Sequence, residues 1–318
     1  MKTKEFELRL ERLTSHVTRL DKRLAMVEQR AGCAPRPQHA TSVHIQPPWK
    51  MDEAQVEEFV AETYPAVKEN PLEALNFEQP DEDSYLTAHA KNVSKLAMFL
   101  ADKHGFSEVS TRTVGICGLL HDAGMDCLPH AFVSAGRPLT EEEYQQVRTH
   151  PTRGADYVRQ HYKFGGLLAS VVPAVVEQHH ERTDGTGYPH GLAGNSIHDF
   201  ARVLAIADSY EAMTTPRPFR MPRHPAEAMR ALLLQGYPSP SGGMYDRGML
   251  KTLVWSMSLY PVGCEVRLSD GHHARVLAAT ADPKRPVVKL LGGDHSGREV
   301  DLTEHEELTI LERPHTAS

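Results

Sequence analysis

The chain opens on a narrow hydrophobic stripe. Phe6, Leu10, Leu13, Val17, Leu20, Leu24 and Val27 recur at alternating spacings of four and three, with charged residues filling most positions between them. A seam confined to two heptad positions is narrower than the stripe of a core-facing helix, so the pattern predicts a coiled-coil helix over residues 1–31 that makes a homodimer through residues 6–27. Gly32 and Pro35 stop it. Residues 32–50 carry four prolines and no periodicity and read as an extended linker. Val56, Phe59, Val60 and Val67 then predict one helix in a small extension, residues 51–83, ending between Pro65 and Pro71.

From residue 84 to 258 the apolar positions recur at helical spacing. Leu86, Val93, Leu96, Ala97 and Leu100 place His89 mid-helix, on or beside the buried face. A helix at roughly 109–123 runs through Val114, Ile116, Leu119 and Leu120 straight into His121 and Asp122. Thr140 and Glu143 form a capping box for a helix that reaches Val147 and His150, where Pro151 imposes a boundary by pushing the residue before it out of the helical region. Residues 166–180 make a further apolar helix whose end delivers His179 and His180, and the segment from Ala201 to Tyr210 is an apolar helix interrupted by Asp208. From residue 259 to 318 the period changes to two. Val266, Leu268, Ala274, Val276 and Ala278 flank an Asp270-Gly271 turn, and with the apolar runs after Pro286 and at Leu308 they predict a small β domain of four or five strands. The fold class is therefore mainly α, a helical bundle with an N-terminal coiled-coil helix and a small C-terminal β domain.

Composition narrows the function. A formal net charge of −7 over 318 residues gives no long-range attraction to DNA or to anionic lipid, so an anionic substrate has to be held by local cations or metal. The four cysteines form no C-x-x-C pair, which argues against a disulfide framework and against a thiolate zinc site and fits a reducing, cytoplasmic setting. No stretch approaches the roughly 18 apolar residues needed to cross a bilayer, so membrane insertion is not expected.

The chemistry concentrates between Glu177 and Pro189, where two adjacent histidines, three carboxylates, an arginine and a Gly-Tyr-Pro turn share thirteen residues. With this stretch, His89, His121, Asp122, His150, His179, His180 and Asp208 all lie at the ends or buried faces of apolar helices. One such histidine is ordinarily a core residue, but seven polar groups placed this way would leave an apolar interior with unpaired charge. Imidazole and carboxylate together suit iron, manganese or zinc, and seven ligands exceed the four of a tetrahedral zinc, so two metals are the natural count. Adjacent histidines on a helix diverge by roughly 100° and can serve one ion or two. Two ions roughly 3.5–4 Å apart can hold a bridging hydroxide and neutralise a phosphate, which makes a phosphodiester the best-matched substrate class.

These residues carry a resemblance. His89, His121-Asp122, His150, His179-His180 and Asp208, with the run from His179 to Pro189, resemble the HD-GYP family, the bacterial cyclic-di-GMP phosphodiesterases of the HD superfamily. The similarity covers about 84–258 and continues through Ala201–Thr214 and Arg217–Arg220. It implies an HD-superfamily helical bundle and a phosphodiesterase that opens cyclic-di-GMP to pGpG and onward to GMP through the metal-bridging hydroxide, with His121 and Asp122 at the catalytic centre. It further implies that His89, His121, Asp122 and Asp208 hold one metal and that Asp122 bridges to a second held by His150, His179 and His180. The metal it implies is iron, with manganese as a substitute. Trinuclear members carry a glutamate where this chain has Tyr85, which keeps the count at two. Tyr188 would line the guanine pocket, Arg217 and Arg220 would contact the ligand, and Glu181 and Asp184 would orient the turn around the ligands, with Gly185 and Gly187 letting the backbone bend. The family's His-Asp-Ile-Gly-Lys is here His121-Asp-Ala-Gly-Met125. Methionine offers no charge to a phosphate oxygen, so the resemblance also accommodates a weak or inactive domain that senses cyclic-di-GMP or docks a signalling protein. Another cyclic dinucleotide is a third substrate reading.

Overall fold

A computed structural model describes residues 47–70, 77–78, 85–129, 132, 137, 139–216, 221–237, 242–293 and 295–311. The coiled-coil expectation for residues 6–27 and the ligand contacts expected of Arg217 and Arg220 lie outside the described residues. What is described is mainly helical, with a small antiparallel sheet at the C-terminal end.

Helix α1, Glu53–Glu69, starts from a capping box in which the Asp52 carboxylate accepts from Gln55 N and the Gln55 side chain accepts from Asp52 N, each at 2.9 Å. It buries Val56, Val60, Tyr64 and Val67 and runs through Pro65 before ending at Glu69. The long helix α2, Tyr85–His104, packs on α1, on α3, Glu108–Leu120, and on α7, Asp199–Thr214. Its buried side chains occupy more than one face, which is why His89 and Asn92 are both enclosed. Leu120 is the last residue of α3, and a short 3-10 helix, Ala123–Cys127, follows His121 and Asp122 directly.

Helix α4, Glu141–Val147, has the expected capping box, with Thr140 Oγ1 accepting from Glu143 N at 3.2 Å and the Glu143 carboxylate accepting from Thr140 N at 2.8 Å. The boundary before Pro151 is present, but His150 is itself the first residue of α5, His150–His161, and is not excluded from the helix. Proline is tolerated in a first turn because its missing N–H would be unsatisfied there in any case. Helix α6, Leu168–Gln178, packs on α5 and hands the chain to His179. Helices α8, Pro225–Gly236, and α9, Arg247–Met257, pack on α7 and complete the helical body.

Strands β1 (Glu265–Leu268), β2 (His273–Ala278), β3 (Val287–Leu291), β4 (Glu299–Asp301) and β5 (Ile310–Leu311) form one antiparallel sheet in the order β4-β3-β2-β1-β5. The β1–β2 hairpin turns at Asp270-Gly271, where Gly271 has φ +94°, and pairs Arg267 with His273. Alternate residues Val266, Leu268, Ala274, Val276, Val288 and Leu290 bury one face. This core is separate from the helical one, which is built from residues such as Leu96, Phe99, Leu120, Val176, Leu204 and Ile206.

Candidate metal centre

Three helix ends and two helix faces converge on one point. His121 and Asp122 follow α3, His150 opens α5, and His179 and His180 follow α6, while His89 and Asp208 project from the buried faces of α2 and α7. Of these seven, all but His180 are buried. A glycine makes the convergence possible. A Cβ at Gly124 would stand 1.9 Å from the His150 carbonyl oxygen and 2.6 Å from Gly154 N, so the 3-10 helix reaches α5 only because that atom is missing.

Asp122 stands between two histidine clusters and turns one oxygen to each. Its Oδ2 lies 3.6 Å from His89 Nε2 and 3.5 Å from His121 Nε2, while its Oδ1 lies 3.3 Å from His150 Nε2 and 4.0 Å from His179 Nε2. Asp208 closes the arrangement from α7, with Oδ1 at 3.3 Å from His89 Nε2 and Oδ2 at 3.9 Å from His180 Nδ1.

Four of the five histidines are oriented from behind. Nδ1–H of His121 donates to the Gly118 carbonyl at 2.8 Å, that of His150 to Val147 at 2.7 Å and that of His179 to Val176 at 2.6 Å, in each case three residues back along the chain. His89 donates its Nδ1–H to a fully buried carboxylate, Glu211 Oε2, at 2.5 Å, and the other Glu211 oxygen accepts from Asn92 Nδ2 at 3.0 Å. With the proton on Nδ1, the Nε2 of each of these four presents a lone pair inward. His89 and His121 then face each other Nε2 to Nε2 at 3.3 Å, and His150 and His179 do so at 3.2 Å. Two opposed lone pairs at hydrogen-bond distance need a cation or proton between them.

Protonation is disfavoured by the surroundings. Burial, reinforced by His121 and His150, drives His179 down to about 3, and burial also holds His150 below and His180 well below the ordinary imidazole value. Burial opposes ionisation of Asp122, but His121, His150, His89 and His179 around it hold its carboxyl down to about 2. Asp208 likewise lies well below the carboxylate range against the effect of burial, through the adjacent His89 and His180. Neutral imidazoles and anionic carboxylates inside an apolar bundle make an electron-rich pocket with the donor set that divalent transition metals prefer. His150, His179 and His180 could hold one ion, and His89, His121 and Asp122 another.

The Gly-Tyr-Pro stretch forms the rim. Tyr188 stacks on His180, ring centroids 4.7 Å apart, and its backbone N–H donates to the His180 carbonyl at 3.1 Å. A Cβ at Gly187 would fall 2.3 Å from Arg182 N, so glycine lets the loop fold back on itself. Glu181 is buried and accepts from His190 N at 2.7 Å and Leu192 N at 2.9 Å, pinning the loop that carries Tyr188. Asp184 is exposed and accepts from Thr186 N at 3.0 Å and from the Thr186 hydroxyl, so it shapes the turn without touching the histidines. Tyr85 stacks on His89 with centroids 5.9 Å apart.

Two participants went unassigned in the sequence. Glu211 lies three residues after Asp208 and Asn92 three after His89. Side chains so spaced share a helix face, and that spacing was the available signal.

A family model for the HD domain matches residues 79–237, half of the chain. The chain is 33% identical over 230 residues to a cyclic di-GMP phosphodiesterase of Pseudomonas aeruginosa, an alignment covering 71% of this chain and 53% of that protein. It is 31% identical over 175 residues to a cyclic di-GMP phosphodiesterase of Thermotoga maritima, covering 55% and 45% of the two chains. It is 36% identical over 132 residues to a 3'3'-cGAMP-specific phosphodiesterase of Vibrio cholerae, covering 42% and 30%. The chain thus spans about half, or less, of the length of these relatives. With the matched helical domain, the histidine and aspartate clusters and the Gly-Tyr-Pro turn together, the chain belongs to the HD domain family, among its HD-GYP members.

Proposed function

We propose that this chain is a metal-dependent phosphodiesterase that hydrolyses cyclic-di-GMP to pGpG and onward to GMP. The observation that carries the reading is Asp122, whose two oxygens face two separate clusters of inward-pointing imidazole nitrogens. His89, His121, Asp122 and Asp208 would hold one divalent ion, and His150, His179 and His180 a second, with Asp122 shared. Iron is the metal the family resemblance favours, with manganese as the alternative, and the mixed nitrogen and oxygen donors suit both. Bound there, the ions supply Lewis acidity and neutralise the charge of a phosphodiester.

The chain's own groups supply the rest. The carbonyls of Gly118, Val147 and Val176 and the carboxylate of Glu211 hold the tautomer that leaves Nε2 unprotonated. Burial on all sides but that of His180 and Tyr188 limits water and directs a substrate to that rim. Opening of the ring breaks one P–O3′ bond. The hydroxyl of water ends on phosphorus and its proton on the released 3′ oxygen. In this reading Tyr188 lines the guanine pocket, and Arg217 and Arg220 contact the ligand. A homodimer through residues 6–27 and a cytoplasmic setting belong to the same reading. Sedimentation showing one mass with and without those residues would remove the dimer.

The test of activity is hydrolysis of cyclic-di-GMP by protein loaded anaerobically with iron or with manganese, with metal content measured on the same preparation. Two ions per chain and no turnover would overturn the enzyme reading. Met125 favours a second reading, a domain that senses the dinucleotide or docks a signalling partner, because a half-buried thioether within the 3-10 helix brings no charge to a phosphate. Calorimetry that finds tight binding without hydrolysis would select it, and recovery of turnover in Met125→Lys would explain it. The similarity to the cGAMP-specific relative makes that dinucleotide the first competitor to compare as substrate.

A further inference from the structure

Beyond the ligand clusters, one cation stands over the rim. The guanidinium carbon of Arg148 lies 4.8 Å from the centroid of the Tyr188 ring, and Tyr188 in turn stacks at 4.7 Å on His180. Arg148 caps α4, two residues before His150, so its backbone is tied to the metal centre by the same turn that positions that histidine. Its guanidinium forms no ion pair among the described residues, and the ring contact leaves its edge of N–H donors unused. One helical turn earlier on α4, Tyr144 is 45% exposed. Arg148 and Tyr188 thus form one rim, from two segments distant in sequence, beside a pocket whose buried carboxylates Asp122, Asp208 and Glu211 would repel an anion.

We propose that Arg148 is a substrate-contacting residue that binds the phosphate of a cyclic dinucleotide not seated at the metal centre. The proposal rests on the phosphodiesterase reading and goes beyond it by naming the group that holds the second phosphate. Arginine fits the task because its planar fork pairs with two phosphate oxygens while its face remains on an aromatic ring. Arg148 touches the Tyr188 ring, so its N–H donors serve one phosphate while the inward-facing histidine nitrogens and Asp122 serve the reacting one.

The experiment is steady-state kinetics with cyclic-di-GMP on manganese-loaded full chain, comparing the native protein with Arg148→Ala and Arg148→Lys at two salt concentrations, with metal content and melting temperature measured on each. A charged hydrogen bond lost without a buried partner left behind corresponds to roughly a tenfold to hundredfold change. The expected result is a KM raised by about that factor in Arg148→Ala, a kcat that falls far less, and partial recovery in Arg148→Lys, with native metal content in both variants. Should the native protein bind without turnover, the dissociation constant takes the place of KM and the same factor is expected. A KM or dissociation constant within twofold of native in Arg148→Ala overturns the proposal and leaves the phosphodiesterase reading standing. Loss confined to kcat, or accompanied by loss of metal, also overturns it, because Arg148 would then act through His150 and Tyr188. A metal-loaded native protein that neither binds nor cleaves any cyclic dinucleotide overturns both.

Discussion

Replacing Glu211 with glutamine keeps the shape of a buried side chain and removes its charge, which tests how the centre fixes its ligands. Both Glu211 oxygens accept, from His89 Nδ1 at 2.5 Å and from Asn92 Nδ2 at 3.0 Å. Glutamine offers one accepting oxygen and one donating NH2 group, so one partner must meet a donor. Asn92 is held in place by Glu78, whose N–H donates to Asn92 Oδ1 at 2.8 Å and whose carbonyl accepts from Asn92 Nδ2 at 3.1 Å, so its amide cannot turn over cheaply. The glutamine oxygen therefore faces Asn92 and its NH2 faces His89. Nδ1 of His89 becomes the acceptor, the proton moves to Nε2, and the nitrogen aimed at Asp122 and Asp208 loses its lone pair.

Loss of such an outer partner typically weakens metal binding by about 10- to 100-fold. That is about 1.4–2.7 kcal/mol of ligand-linked stability under excess metal, or a metal-induced rise in melting temperature smaller by roughly 3–10 °C for a body of this size. Metal-free native and Glu211→Gln proteins titrated with manganese, followed by calorimetric melting and by elemental analysis after desalting, provide the comparison. The expected outcome is near-normal retention of one ion and loss of the other. Equal metal affinity and an equal melting rise in the two proteins would refute the tautomer argument, since the carboxylate that accepts from His89 Nδ1 would then be dispensable.

Asp122→Asn replaces one of two oxygens that face different clusters, so metal content should fall to at most one ion per chain and hydrolysis by at least about a hundredfold; normal stoichiometry would contradict the shared-carboxylate geometry. Gly124→Ala places a methyl 1.9 Å from the His150 carbonyl oxygen and should destabilise the protein by roughly 1–3 kcal/mol in urea while lowering metal content, whereas a native urea midpoint would show that the contact can relax. His179 is held at about 3 in the folded protein, below its unfolded value of about 6.5. The unfolded chain therefore binds the extra proton, and metal-free protein is most stable above about pH 6.5 and loses stability as pH falls toward 3, so its urea midpoint should drop from pH 8 to pH 5 and an increase would reverse the assignment.

Much of the helical body was legible because apolar periodicity reports which face is buried. The helices around His89, before His121, before His179 and around Asp208 stand where that spacing puts them, and the Thr140–Glu143 capping box closes as two short local hydrogen bonds. The Asp270-Gly271 hairpin is equally local. Two prolines were harder to read. Pro65 lies within α1, and Pro151 follows His150 inside α5. Packing of the apolar face carries α1 through Pro65, whereas Pro151 sits in a first turn, where a missing N–H costs nothing.

Taken by itself, the sequence determined that seven metal-type ligands sit at the ends or buried faces of apolar helices, because burying that many polar groups without a shared purpose is too costly. Only the tertiary structure decided which nitrogen of each ring faces inward, how the two oxygens of Asp122 divide between clusters, and that Glu211, Asn92 and Arg148 stand beside them. Those are relations between side chains brought together from helices up to about a hundred and twenty residues apart, as His89 and Glu211 are. Periodicity along the chain records that a side chain is buried and carries no record of what it meets there.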